Sequence, residues 1–164
     1  IVSLVCAMAS SKGLLVEWQI SALKQVLSSI WEEKGTTMKV DDIAKRCLEG
    51  EDLRLKDVGQ QLYAFTSEGS YGKYFSNKNN VSFQNQFTVL ELDELQGRKH
   101  LRQVVLLQLI YQIQQEVFLG ERNRKKVVIV DEAWDLLKEG EVSVFMEHAY
   151  RKFRKYGGSV VIAI

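Results

Sequence analysis

The stretch "RKKVVIVDEAWDLL", Arg124 to Leu137, runs four apolar residues, Val127 to Val130, directly into Asp131 and Glu132. A short continuous apolar run of this kind predicts a strand covered on both faces, and such strands belong to parallel sheets. In open α/β sheets ligands bind beyond the carboxyl ends of the strands, and the two acids fall there. Adjacent carboxylates at that place have a concrete use in nucleoside triphosphate hydrolysis. The first orients a magnesium ion through its water shell, and the second aligns or deprotonates the attacking water. The bare pattern also occurs where acids only cap the next helix, so the chemistry rests on what surrounds it. Trp134, Leu136 and Leu137 read as core packing.

Outward from this strand the grammar is strand, helix, strand, helix, strand. "FTVLELD", Phe87 to Asp93, is β-rich, and Leu101 to Leu119 predicts a long, largely buried helix. Glu141 to Tyr156 is helical in pattern, and Ser159 to Ile164 is a second apolar strand. Alternation of this kind predicts parallel strands with right-handed crossovers. The fold class expected for the second half, residues 77–164, is therefore α/β.

The first part, residues 1–76, reads as a helical sub-domain. From Leu14 to about Phe65, Trp18, Ala22, Val26, Ser29 and Ile30 recur at helical spacing as one apolar face. Gly35 ends that helix, Asp41 and Asp42 open a second that closes at Gly50, and a third runs from Leu53 to Thr66. Gly59 interrupts the third weakly, at a cost of roughly 1 kcal/mol relative to alanine. The following "TSEGSYGKYFSNKNNVSFQNQ" breaks both periodicities and reads as a loop, with a short strand at Val81 to Phe83.

A hydrolysis carboxylate needs something to hold phosphates, and the pattern GxxxxGK[ST] occurs nowhere in the 164 residues. The nearest approach, "SEGSYGKY" from Ser67 to Tyr74, has Ser67 for the first glycine and Tyr74 for the magnesium-holding hydroxyl. It also follows a helix where a phosphate loop follows a strand, so it is rejected as a cradle. Basic residues cluster at Arg98, Lys99 and Arg102, at Arg122 and Arg124 to Lys126, and at Arg151, Lys152, Arg154 and Lys155. Solvated helix ends explain most of these charges. In the last cluster an arginine could reach a phosphate held by a neighbouring subunit. Tyr150, Phe153 and Tyr156 interleave with it, which suits single-stranded nucleic acid, although an amphipathic core face explains them better. His100 and His148 have no ligand spacing and no assigned role.

Bulk properties bound the alternatives. With 46% apolar and 26% charged residues the chain can build an ordinary core. It has no proline, where average usage would give roughly eight, which favours long helices. A net charge of +1, from 22 basic and 21 acidic side chains, excludes whole-molecule attraction to polyanions, so any such contact is local. Cys6 and Cys47 lack paired spacing and read as reduced thiols, neither disulfide nor metal ligands. Leu101 to Leu119 carries too many polar residues to span a bilayer. The start at Ile1 and the uncapped apolar end "GGSVVIAI" read as an internal piece of a larger protein.

"LYAFTSEGSYGKYFSNKNN", "FTVLELDEL", "VVIVDEAWDLL" and "HAYRKFRKYGGSVVIAI" stand in this chain in the order seen in conjugative type IV secretion ATPases. The sequence resembles above all the TraC-type pilus-assembly ATPases of F-like plasmids, and the resemblance covers nearly all of it. The resemblance implies part of a RecA-like P-loop NTPase domain with a helical sub-domain, whose phosphate loop lies before Ile1. It implies a ring oligomer, often hexameric, that uses ATP and Mg2+ to energise pilus assembly with other secretion components. The expected place is cytoplasmic, peripheral at the inner membrane. Carried over by position, Asp131 resembles the magnesium-orienting carboxylate, Glu132 the catalytic one, and Arg154, with Arg151 as the alternative, the phosphate-sensing or cross-subunit arginine. With its phosphate loop elsewhere, the chain alone is expected to hold no cofactor and to be inactive. The rival readings are a DNA-translocating motor or coupling protein of the same fold, and a non-catalytic interaction module.

Overall fold

The computed structural model describes all residues except 11–14, 78–80, 84, 122, 132–146, 148–150 and 164. The chain forms two compact units, Ile1–Val81 and Ser82–Ile164.

The first unit is helical. Its described helices are α1 (Val2–Ala9), α2 (Glu17–Lys34), α3 (Val40–Glu49), α4 (Leu53–Leu62) and a single turn, α5 (Gly72–Phe75). The apolar start "VSLVCAMA" is a helix that buries Val5 through Ala9. α2 ends at Gly35 and α3 at Gly50, as their sequence signals require. The carboxylate of Asp42 accepts a 2.9 Å hydrogen bond from the Lys39 backbone N–H, satisfying a donor at the start of α3. Asp52 does the same for Arg54 N–H at the start of α4.

The inward face of α2 is Leu23, Leu27 and Ile30. Trp18 turns outward, 40% exposed, with the Arg54 guanidinium 3.9 Å from its ring centroid. The expected face through Trp18, Ala22, Val26 and Ser29 is thus rotated toward the leucines. Compact Leu side chains can be enclosed completely, whereas an indole at a helix start is satisfied by a cation over its ring. The core of this unit also holds Ile43, Ala44, Cys47, Val58, Leu62 and Phe65.

In the second unit, α6 (Lys99–Leu119) leads to β1 (Lys126–Val130), and a one-turn 3-10 helix, Phe153–Tyr156, leads to β2 (Gly158–Ile162). α6 buries seven apolar side chains from Leu101 to Val117. β1 and β2 pair in parallel, with Lys126 opposite Gly158 and Val130 opposite Ile162. Val128 and Val160 rest on Val117 and Phe153, with Ile113, Phe118 and Tyr156 around them. The rings of Phe118 and Phe153 meet edge to face at 5.7 Å. Gly157 adopts φ 74°, a left-handed conformation that ends the 3-10 turn and lets the chain enter β2.

Three strand expectations change. Neither Phe87 to Asp93 nor Val81 to Phe83 is a strand among the described residues; Asp93–Leu95 is a 3-10 turn, and Phe87 is 78% exposed. A β-rich segment becomes a strand only where a neighbour completes its hydrogen bonds, and the described sheet contains β1 and β2 alone. Nor is β1 covered on both faces, since Val127 and Ile129 are 61% and 64% exposed. The predicted helix over 141–156 lies mostly outside the described residues. No described helix is long and apolar enough to cross a membrane.

Candidate functional site

Asp131 is the first residue after β1, exposed, in a bend at the carboxyl end of the strand. The Ala163 N–H donates to the Val130 carbonyl at 2.9 Å, so strand pairing holds the backbone up to the residue before Asp131. This fixes where its carboxylate leaves the sheet. Glu132, Trp134, Leu136 and Leu137 lie outside the described residues, as do Tyr150 and His148. Among the described residues no three His, Cys, Asp or Glu side chains gather as a metal site. The exposed Asp131 carboxylate is a hard oxygen acceptor, suited to hold magnesium through its water shell, the indirect mode that a single carboxylate supports.

Arg154 is exposed in the 3-10 turn that precedes β2. In a parallel register the start of β2 lies beside the start of β1, whereas Asp131 follows the end of β1. Five residues at about 3.3 Å each separate the two ends by roughly 16 Å. Within one chain the structure therefore does not bring Arg154 to Asp131. Arg151 is held by Glu147 in an exposed ion pair, Nη2 to Oε1 2.7 Å. Phe153 is 1% exposed and Tyr156 packs on Phe118 at 4.8 Å, so the two described aromatics of this run belong to the core.

The segment "SEGSYGKY" is not a phosphate cradle. A Cβ on Gly69 would lie 2.0 Å from the Tyr63 carbonyl oxygen, and one on Gly72 2.3 Å from that of Thr66. These glycines let the chain fold closely on its own backbone. Ser67 is tied to α3, its N–H donating to the Asp41 carboxylate at 3.0 Å and its hydroxyl donating to the same oxygen. Burial raises the Asp41 pKa, but the Ser67 hydrogen bonds outweigh it and leave the carboxyl below its usual value. This latch joins residues 26 apart, and neither end carries a local signal for it.

In parallel α/β sheets ligands bind beyond the carboxyl ends of the strands, and Asp131 stands at that end of β1. The structure of VirB4 of Thermoanaerobacter pseudethanolicus has the same fold, with TM-score 0.77 over 99% of this chain and 48% of that one, at 19% identity. The family described as the TraG P-loop domain matches residues 21–164, and the chain belongs to it. Protein TraC of Escherichia coli (strain K12) is 31% identical over 168 residues, 94% of this chain. The chain spans 19% of the length of TraC.

Proposed function

We propose that the chain supplies the hydrolysis strand of an ATP-driven motor that energises conjugative pilus assembly and type IV secretion. The observation that carries this reading is the register of β1 with β2, which puts Asp131 at the carboxyl end of a parallel strand. When bound, Mg-ATP supplies the phosphoanhydride to be cleaved and the cation that offsets its charge. Asp131 accepts hydrogen bonds from the water shell of that cation. Glu132, the next residue, receives a proton from the attacking water or aligns it. Arg154, at the far end of the sheet from Asp131, serves a nucleotide held by a neighbouring copy in a ring. The phosphates are held by a loop outside these 164 residues, so the chain alone does not turn over ATP. The full-length protein works at the cytoplasmic face of the inner membrane, peripherally and with other secretion components. Nucleic acid is a less suited partner, because Phe153 and Tyr156 are packed inward and offer no stacking platform.

The test is Glu132→Gln in the full-length protein. ATP turnover falls by about 100-fold or more, the usual contribution of a general base, with the thermal transition unchanged. Retained turnover in that variant, or Glu132-dependent hydrolysis by the 164 residues alone, refutes the assignment.

A further inference from the structure

α6 begins with cations that local energetics does not favour. Arg98 is its N-cap residue and Lys99 its first helical residue. Arg102 follows one turn later on the same face. The free amide N–H groups make a helix start positive, so acids stabilise it and cations do not. The first turn of α6 holds no acid, and no side chain caps it. Lys99 is exposed, and among the described residues neither it nor Arg102 belongs to an ion pair. Arg102 is half-buried, between Leu101 and Val104, which are both fully enclosed. Its Nε is buried and has no hydrogen-bond partner. An enclosed guanidinium N–H without an acceptor costs more than an ordinary hydrogen bond gains, so the group is set for an acceptor that the described residues do not supply.

The position of Arg102 gives that acceptor its chemistry. The last turn of α6 stands over the strand starts: Lys126 Nζ donates to the Glu121 carbonyl at 3.0 Å, and Val117 Cγ1 lies 3.3 Å from where a Cβ on Gly158 would be. A helix that packs on a parallel sheet and feeds the next strand runs back along that sheet, so α6 starts toward the carboxyl ends of β1 and β2. Arg102 is roughly 22 Å along the helix from Val117, at about 1.5 Å per residue. Asp131, level with Ala163, is roughly 16 Å along the sheet from Gly158. Arg102 therefore stands at the Asp131 end, where α/β sheets hold ligands, and Arg154 at the other. On the motor reading the anion at this end is a nucleoside triphosphate, whose magnesium bridges the β- and γ-phosphates. We propose that Arg102, with Lys99 one turn before it, is the ligand of the terminal phosphate on the Asp131 side, so that it separates triphosphate from diphosphate. The inference rests on the motor reading for its ligand and assigns Arg102 a binding contact alone.

The test is equilibrium binding of fluorescently labelled ATP and ADP, each with Mg2+, to the full-length protein. Arg102→Gln weakens ATP binding by about 10- to 100-fold, the loss of a charge-assisted hydrogen bond. It leaves ADP binding within about threefold of wild type. Arg102→Lys keeps the stem and the charge without the planar fork, and its ATP affinity falls between wild type and Arg102→Gln. Lys99→Gln, an exposed change without consequence for folding, weakens ATP binding in the same sense and by less. Lys125→Gln, an exposed cation just before β1, binds both nucleotides as the wild type does. Thermal unfolding of each variant separates loss of contact from loss of fold, and if Arg102→Gln melts lower, Arg102→Lys and Lys99→Gln decide the matter. Unchanged ATP affinity in the Arg102 variants, or equal losses for ATP and ADP, overturns the proposal. So does loss of single-stranded DNA binding with ATP affinity unchanged, which assigns these cations to nucleic acid. Glu132→Gln should bind ATP as the wild type does and fail in turnover alone. Failure of the motor reading therefore shows as turnover in that variant, and failure of this one as unaltered nucleotide selectivity in Arg102→Gln.

Discussion

Gly59→Ala separates helix propensity from packing at one position. In an isolated helix the change gains about 1 kcal/mol, because glycine loses more backbone freedom on ordering than alanine. In this fold Gly59 sits in the interior of α4 where it crosses α3. An added Cβ would lie 2.9 Å from Leu48 Cγ, 3.0 Å from the Ala44 carbonyl oxygen and 3.0 Å from Cys47 Cβ. Leu48 is 38% exposed and can swing aside. The Ala44 carbonyl and the Cys47 Cβ are fixed to the α3 backbone, so the helices must separate. Overpacking of this sort costs about 1–3 kcal/mol, which outweighs the propensity gain and leaves a net loss of about 1 kcal/mol. For a unit of this size that lowers the melting temperature by about 4–8 °C. The assay is thermal unfolding followed by helical circular dichroism, with Gly97→Ala as control, since a Cβ there meets nothing within 4 Å. A Gly59→Ala variant that melts higher than wild type refutes the close crossing of α3 and α4.

Phe153→Ala empties the space between α6 and the sheet, where Phe153 is 1% exposed. The expected loss is about 3–5 kcal/mol, read as a fall in the urea midpoint of the second unit, and an unchanged midpoint refutes its place in the core. Asp41 and Asp42 both have folded pKa values below the ordinary 3.8. In each, burial opposes the shift and hydrogen bonds outweigh it, from Ser67 to Asp41 and from Lys34 to Asp42. Depressed carboxyl pKa values stabilise the fold above the unfolded value, and that stability is lost as pH falls through the folded values. The first unit should therefore hold its melting temperature down to about pH 4 and lose it below, with a shallower fall in Asp41→Asn. Cys47 is fully enclosed, and burial pushes its thiol up to about 11. Iodoacetamide at mildly alkaline pH should leave it unmodified until denaturant is added, and rapid native labelling would contradict its burial.

Much of this was legible in local pattern. The ends of α2 and α3 follow from Gly35 and Gly50, the start of α3 from its acids, and α6 from a long periodic apolar run free of proline. β1 and β2 follow from short apolar runs, and Asp131 stands at the end of β1 as expected from "VVIVDE". The inward face of α2 was misread because large aromatic residues carry the most apolar area, yet enclosure depends on which side the neighbouring helices occupy. The segment Phe87 to Asp93 has strand composition without strand structure, because composition says nothing of whether a partner stands beside it.

The sequence by itself determined the class of the chain: helices first, then a parallel α/β part with two acids after an apolar strand. Hydrophobic period and residue order are local quantities that the chain carries wherever it folds. Only the tertiary structure decided that Arg154 stands at the opposite end of the sheet from Asp131, that Ser67 is latched to Asp41, and that Lys126 stands beside Gly158. Those are relations between residues far apart in sequence, set by strand register and by the packing of α6 and Phe153 on β1 and β2. No reading of neighbours along the chain contains them.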